Sequence, residues 1–173
     1  MEKDNRKCFE KMAAGVFSKE QTDRLEEMNF FRLPASIRNH GKKEGELYIH
    51  SLLIYLLLKE WTEEGNITWE KERSPMVIAF LHDLCKTDDY TITEEGFAYN
   101  GKKILGGHGE KSAIMALQLF TDLTEEELMC IRYHTGAYEG EQSWKNLNNA
   151  IRKYPNILWV HHADMIASQV WGI

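Results

Sequence analysis

The sequence predicts an all-α helical bundle carrying one short β-hairpin near residues 89–100, and three features point that way. Apolar residues gather in helix-length stretches that open on start signals: capping boxes at Ser18 with Gln21 and Thr124 with Glu127, and proline starts at Ser74-Pro75 and Tyr154-Pro155. The run from residue 52 to 58 is apolar on every side, as suits a helix enclosed in a core. Only residues 90–100 alternate, around Glu94-Glu95-Gly96, in the manner of two paired strands.

Composition sets the outer bounds. A chain of 173 residues, 43% hydrophobic and 28% charged, can bury one sizeable core, and 3 prolines with 12 glycines leave little room for a flexible linker. One structural domain is expected, with residues 1–33 as a helical arm packed on a core formed by residues 34–173. The net charge of -6 disfavours long nucleic acid held by nonspecific phosphate contacts. A small phosphorylated substrate or a strand end stays compatible with it, since bound metal would supply local positive charge. Cys8, Cys85 and Cys130 form an odd set without CxxC spacing, which argues against a disulfide framework and a structural zinc site. The start Met1-Glu2-Lys3-Asp4 is charged, and no apolar run approaches bilayer length, so a cytoplasmic protein without membrane contact is expected. Oligomeric state leaves no signature.

The elements follow in order. Ser18 opens a helix through Arg24, Leu25 and Met28, ended by Phe30-Phe31-Arg32-Leu33-Pro34; this opening segment reads as peripheral packing without catalytic signal. The apolar helix from about Glu46 to Trp61 carries His50 in its first turns, pointing into the interior. Ser74-Pro75 opens a second apolar helix through Met76, Val77, Ile78, Phe80 and Leu81 that is expected to carry His82-Asp83 into the core, with Lys86 one turn beyond Asp83. The hairpin after it is either a lid or specificity element beside a site or an ordinary surface hairpin. Gly106-Gly107-His108-Gly109 precedes a helix with Ile114, Met115, Leu117 and Leu119, so His108 stands at a helix N-terminus that suits an anion. The helix opened by Thr124 ends at His134, and the loop after it offers Tyr138, Glu139, Glu141 and Gln142 as lining for a pocket mouth. The last helix has Ile157, Leu158, Val160, Ala163, Ile166 and Ala167 as its core face, with His161, His162 and Asp164 in the middle.

A buried imidazole beside a buried carboxylate needs compensation, because an unpaired charge in a dry site is expensive. Each polar residue above has an ordinary reading as a hydrogen-bonded core group or a solvated turn. Together, His50, His82, Asp83, His108, His134 and Asp164 supply nitrogen and oxygen donors for two divalent ions, with Asp83 able to bridge them.

In this order the residues resemble the HD-domain superfamily of metal-dependent phosphohydrolases. The family's His, His-Asp pair and distant Asp fall on His50, His82-Asp83 and Asp164, and the extra ligands of its two-metal members on His108 and His134. Pro34-Ala35-Ser36 through His40, Glu44-Gly45 through His50-Ser51, the stretch Gly107-His108-Gly109-Glu110-Lys111-Ser112 and His162-Ala163-Asp164 are similar to bacterial and phage HD hydrolases related to the HD domain of a 3′-5′ exoribonuclease. Glu46 departs from that pattern where many relatives carry a second Gly, and Cys85 where many carry Gly between the His-Asp pair and Lys86.

The resemblance implies an HD-domain helical bundle with one or two divalent ions of the Mn, Fe, Ni, Co, Zn or Mg type. His50, His82, Asp83 and Asp164 would hold the first ion, and Asp83, His108 and His134 the second. Asp83 and Lys86 would be catalytic, with a metal-activated water attacking a nucleotide, an oligonucleotide end or a related phosphate ester. Lys86 would stabilise phosphate charge or simply pair with Asp83, and Arg38, His40 and Lys111 would contact substrate. The same ligands also occur in HD-type di-iron oxygenases of small molecules, and the fold would also serve a catalytically silent nucleotide-binding module.

Overall fold

A helix that is apolar all round has to be enclosed all round, and the stretch Ser74–Leu81 (α4) is buried at every residue. The computed structural model describes residues 2–38, 41–136 and 141–173. The other elements assemble around α4: α1 (Glu2–Met12), α2 (Lys19–Glu27), α3 (Glu46–Glu63), the single turn α5 (Lys86–Asp89), strands β1 (Tyr90–Thr93) and β2 (Gly96–Tyr99), α6 (Gly109–Leu119), α7 (Glu125–Tyr133), α8 (Trp144–Lys153) and α9 (Asn156–Met165). α3, α6 and α7 flank α4, and α9 packs across α3 and α7. The described chain is thus mostly helical, with one two-stranded antiparallel sheet, as the sequence predicts.

Local start signals do what their chemistry requires, and one of them does more. Ser18 accepts the Gln21 backbone N–H while Gln21 accepts that of Ser18, a reciprocal box that satisfies two free donors. Thr124 and Glu127 repeat it at α7. The Glu127 carboxylate, fully buried, also accepts from Ser74 Oγ at 3.0 Å and pairs with Arg73, which ties the start of α7 to the start of α4. Its neighbour Glu126 accepts from the Glu70 backbone N–H and from Asn156 Nδ2, so one capping box anchors three elements.

The first 33 residues lie deeper than expected. Phe9, Phe17, Phe30 and Phe31 are buried, and the Phe9 ring centroid lies 4.9 Å from that of Phe80 on α4. Tyr48 stacks on the same Phe80 ring at 5.9 Å. Leu158 departs in the opposite direction: expected on the core face of α9, it is 52% exposed, while Ile157, Val160 and Ala163 form that face.

The hairpin pairs Tyr90 with Tyr99 and Thr93 with Gly96 across the two-residue turn Glu94-Glu95. α4 stops at Leu81, with His82 as its C-terminal cap, and His82 through Cys85 form a tight turn before α5. The expectation that helix α4 carries Asp83 with Lys86 one turn on is corrected here: the chain turns between them, and the Lys86 N–H donates to the Asp83 carbonyl at 3.0 Å. No described helix is long and apolar enough to cross a membrane.

Candidate metal centre

Five helices bring six polar side chains to one point. His50 comes from the first turns of α3, His82 and Asp83 from the end of α4, His108 from the N-terminal cap of α6, His134 from the C-terminal cap of α7, and Asp164 from near the end of α9. His50, His82 and His134 are at most 1% exposed and Asp83 6%. Such burial of an acid is tolerated only with compensation.

The two oxygens of Asp83 divide the imidazoles between them. Oδ2 faces His50 Nε2 and His82 Nε2, both at 3.7 Å, while Oδ1 faces His108 Nε2 at 2.6 Å and His134 Nε2 at 3.7 Å. Asp164 Oδ1 lies 3.2 Å from His50 Nε2 on the first side. Three donor groups, His50-His82-Asp164, His82-Asp83-His134 and Asp83-Cys85-His108, therefore overlap, the first two sharing His82 and the last two sharing Asp83.

Ring orientation is set from behind. His50 Nδ1 donates to the Ile173 carbonyl at 2.9 Å, His82 Nδ1 to Ala79 at 2.8 Å, and His134 Nδ1 to Ile131 at 2.7 Å. A carbonyl oxygen can only accept, so each of these rings carries a proton on Nδ1 and turns Nε2 inward. His50 Nε2 and His82 Nε2 then face each other at 3.3 Å. Two ring nitrogens so placed require a proton or a metal ion between them. The donor set fits a divalent ion on that ground.

The protonation equilibria reflect the same crowding. Burial pushes His82 down to about 3. Burial also opposes ionisation of Asp83, yet the charge of Lys86 together with His82 and His108 holds its carboxyl well below the usual range. Asp164 lies at about 2, because the hydrogen bond with His50 and the nearby imidazoles outweigh its burial. His50 and His134 rise above an ordinary histidine: burial acts against that, and the bonds to Asp164 and Asp83 respectively overcome it.

A cavity of about 170 Å³ opens on this cluster, lined by Asp83, Lys86, His108 and Asp164 and also by Thr135, His161 and Gln169. Lys86 is thus at the mouth, its Nζ 3.5 Å from Tyr90 Oη at the root of the hairpin. His161 donates from Nδ1 to the His134 carbonyl at 2.7 Å, so it supports the backbone of His134 rather than Asp164. Its ring occupies the space a side chain on Gly136 would need, where φ is +58°.

Other expected contacts lie elsewhere. Lys111 is buried, and its Nζ pairs with Asp88 at 2.5 Å and Asp89 at 2.9 Å. Arg38 is exposed and stacks over the Tyr99 ring at 5.1 Å, on the hairpin. His162 is exposed, near Trp61. His40, Tyr138 and Glu139 fall outside the described residues, as does the side chain of Glu141. Two features had no sequence signal: the Cys85 thiol lies 3.2 Å from His108 Nδ1, and the Ile173 carbonyl orients His50.

A family model described as HD domain matches residues 47–167, a span that includes all six clustered side chains. No curated protein and no solved structure matches the chain.

Proposed function

Because the chain belongs to the HD-domain family, a superfamily of metal-dependent phosphohydrolases, we propose that it hydrolyses a phosphate ester of a nucleotide, an oligonucleotide end or a related small molecule. The observation that carries this reading is the division of the Asp83 oxygens between two sets of inward-facing imidazoles. In this reading His50, His82, Asp83 and Asp164 hold one divalent ion and Asp83, His108 and His134 a second. Such ions supply the charge that acidifies a water and neutralises phosphate oxygens.

The protein's own groups do the rest. Asp83 stays ionised and bridges the two halves. The contact of His50 Nε2 with Asp164 keeps that ring in place, and the carbonyl anchors keep the Nε2 atoms of His50, His82 and His134 aimed inward without reorganisation. Lys86, at the cavity mouth and charged, is set to receive a phosphate oxygen once Asp83 is committed to metal. A net charge of -6 disfavours nonspecific phosphate contacts to a long polymer, which supports a small substrate. The test is hydrolysis of nucleotides and generic phosphate esters with Mn²⁺, Co²⁺, Ni²⁺ or Fe²⁺. Turnover that needs metal and disappears in Asp83→Ala supports the reading; turnover that survives this substitution refutes it.

A further inference from the structure

The cavity over the metal centre meets the hairpin through one cation. Lys86 lines that cavity, and its Nζ lies 5.6 Å from the centre of the Tyr90 ring. Tyr90 is buried and paired across the two strands with Tyr99, and their ring centroids stand 5.6 Å apart. Tyr99 is 47% exposed and carries the Arg38 guanidinium over its ring at 5.1 Å. A cation at the cavity and a second on the exposed side of the hairpin thus stand on the two members of one cross-strand aromatic pair.

Both ends of this ladder are anchored. Asn100 closes the root of the hairpin: its backbone N–H donates to the Asp89 carbonyl at 2.8 Å and its Nδ2 to that of Asp88 at 2.8 Å. Arg38 follows the buried Ser36, whose Oγ accepts the Arg38 backbone N–H at 3.2 Å. Lys103 and Lys111, which follow the hairpin in sequence, are held by Asp89 and by the Asp88-Asp89 pair. Arg38 differs from them, since among the described residues its guanidinium has no carboxylate partner. A guanidinium laid on a ring spends its face there and keeps its N–H edge for an anion such as a phosphate.

We propose that Arg38, held on Tyr99, is a subsite for a second phosphate group of the substrate, while the first is hydrolysed at the metal centre beside Lys86. The inference rests on the phosphohydrolase reading above and narrows its substrate to a molecule with two phosphates. A pair of rings stands between the two cations along the ladder. That spacing suits phosphates set apart by a nucleoside, as at the end of a short strand, better than phosphates joined by a single oxygen. The hairpin is then a specificity element: it fixes the second cation relative to the first and leaves the chemistry to the metal centre.

The experiment measures hydrolysis by the full chain, with Mn²⁺, of thymidine 5′-monophosphate, thymidine 5′-diphosphate and a 5′-phosphorylated thymidine dinucleotide. Wild type is expected to favour the dinucleotide over the monophosphate in kcat/KM by about 10-fold, chiefly through KM. In Arg38→Ala that ratio falls to about twofold or less and loses the decline with ionic strength that wild type shows. Tyr99→Leu lowers the ratio by about threefold or more, and Tyr99→Phe, which keeps the ring face, retains it. A matching preference for the diphosphate that is lost in Arg38→Ala also supports the subsite and places the second phosphate in a polyphosphate chain. Equal kcat/KM for the one- and two-phosphate compounds in wild type overturns the inference, as does a preference that survives in Arg38→Ala. Full preference in Tyr99→Leu overturns the part assigned to the ring. Wild type that turns over p-nitrophenyl phosphate and none of the three nucleotides refutes this inference alone, whereas wild type inert on all four refutes the phosphohydrolase reading itself.

Discussion

Replacing Gly109 by Ala tests whether the junction of α6 and α7 positions half of the site. A Cβ on Gly109 would lie 2.0 Å from the Arg132 carbonyl oxygen and 2.8 Å from its carbon. A carbon and a carbonyl oxygen settle at about 3.3 Å, so the two segments must part by about 1.3 Å. Both partners are backbone, and neither can rotate away. His108 precedes Gly109 and His134 follows Arg132 by two, so the displacement passes directly to two candidate ligands. Metal sites tolerate about 0.2 Å in ligand distance, several times less than this shift. The overpacking cost is about 1–3 kcal/mol, which for a chain of this size lowers the melting temperature by about 2–12 °C. Calorimetry and elemental analysis read both effects. Bound metal is expected to fall from about two ions per chain to about one, because His50, His82 and Asp164 lie on other elements. Gly101→Ala, where nothing stands within 4 Å, is the control. Gly109→Ala protein with unchanged melting and metal content would refute the argument.

Three further outcomes are expected. Phe9→Ala removes a ring packed against Phe80, Phe17 and Phe31 and is expected to cost about 3–5 kcal/mol in urea unfolding; a loss below about 1 kcal/mol would make the first helix peripheral after all. Burial works to raise the Asp89 carboxyl, but Lys103 and Lys111 hold it lower, so its contribution is present above the carboxyl's unfolded value and lost as pH falls through the folded one. Asp89→Asn should therefore flatten the acid limb of stability against pH, and an unchanged limb would contradict that pairing. Lys86→Met is expected to lower hydrolysis by about 10²–10³ with metal content unaltered; an unaltered rate would leave Lys86 as no more than the partner of Asp83.

Local chemistry was the legible part of this chain. The capping boxes at Ser18 and Thr124 and the alternation of the hairpin concern residues within a few positions of each other, and they folded as read. The six-residue cluster was legible because helix-end and core-facing placements are visible one element at a time. Long-range pairings were not. Lys111 follows a glycine-rich turn that suits a phosphate contact, and only the fold brings Asp88 and Asp89 to it from α5. Glu127 reads as half of a cap, yet its carboxylate also reaches Ser74 across the core. The apolar pattern of α4 gave no sign that the helix stops at Leu81, which is what turns Asp83 to serve both sets of imidazoles. Nothing adjacent to Cys85 in sequence points to His108, 23 residues away.

The central claim is that Asp83 joins two ion-binding halves, and the most direct test is a metal count on protein isolated without chelators, with Asp83→Ala alongside. About two divalent ions per chain are expected in the wild type, with near-complete loss of both in the variant and hydrolysis that follows the metal. Equal metal content in the two proteins would contradict it, and so would iron-rich protein that consumes oxygen and hydrolyses no phosphate ester.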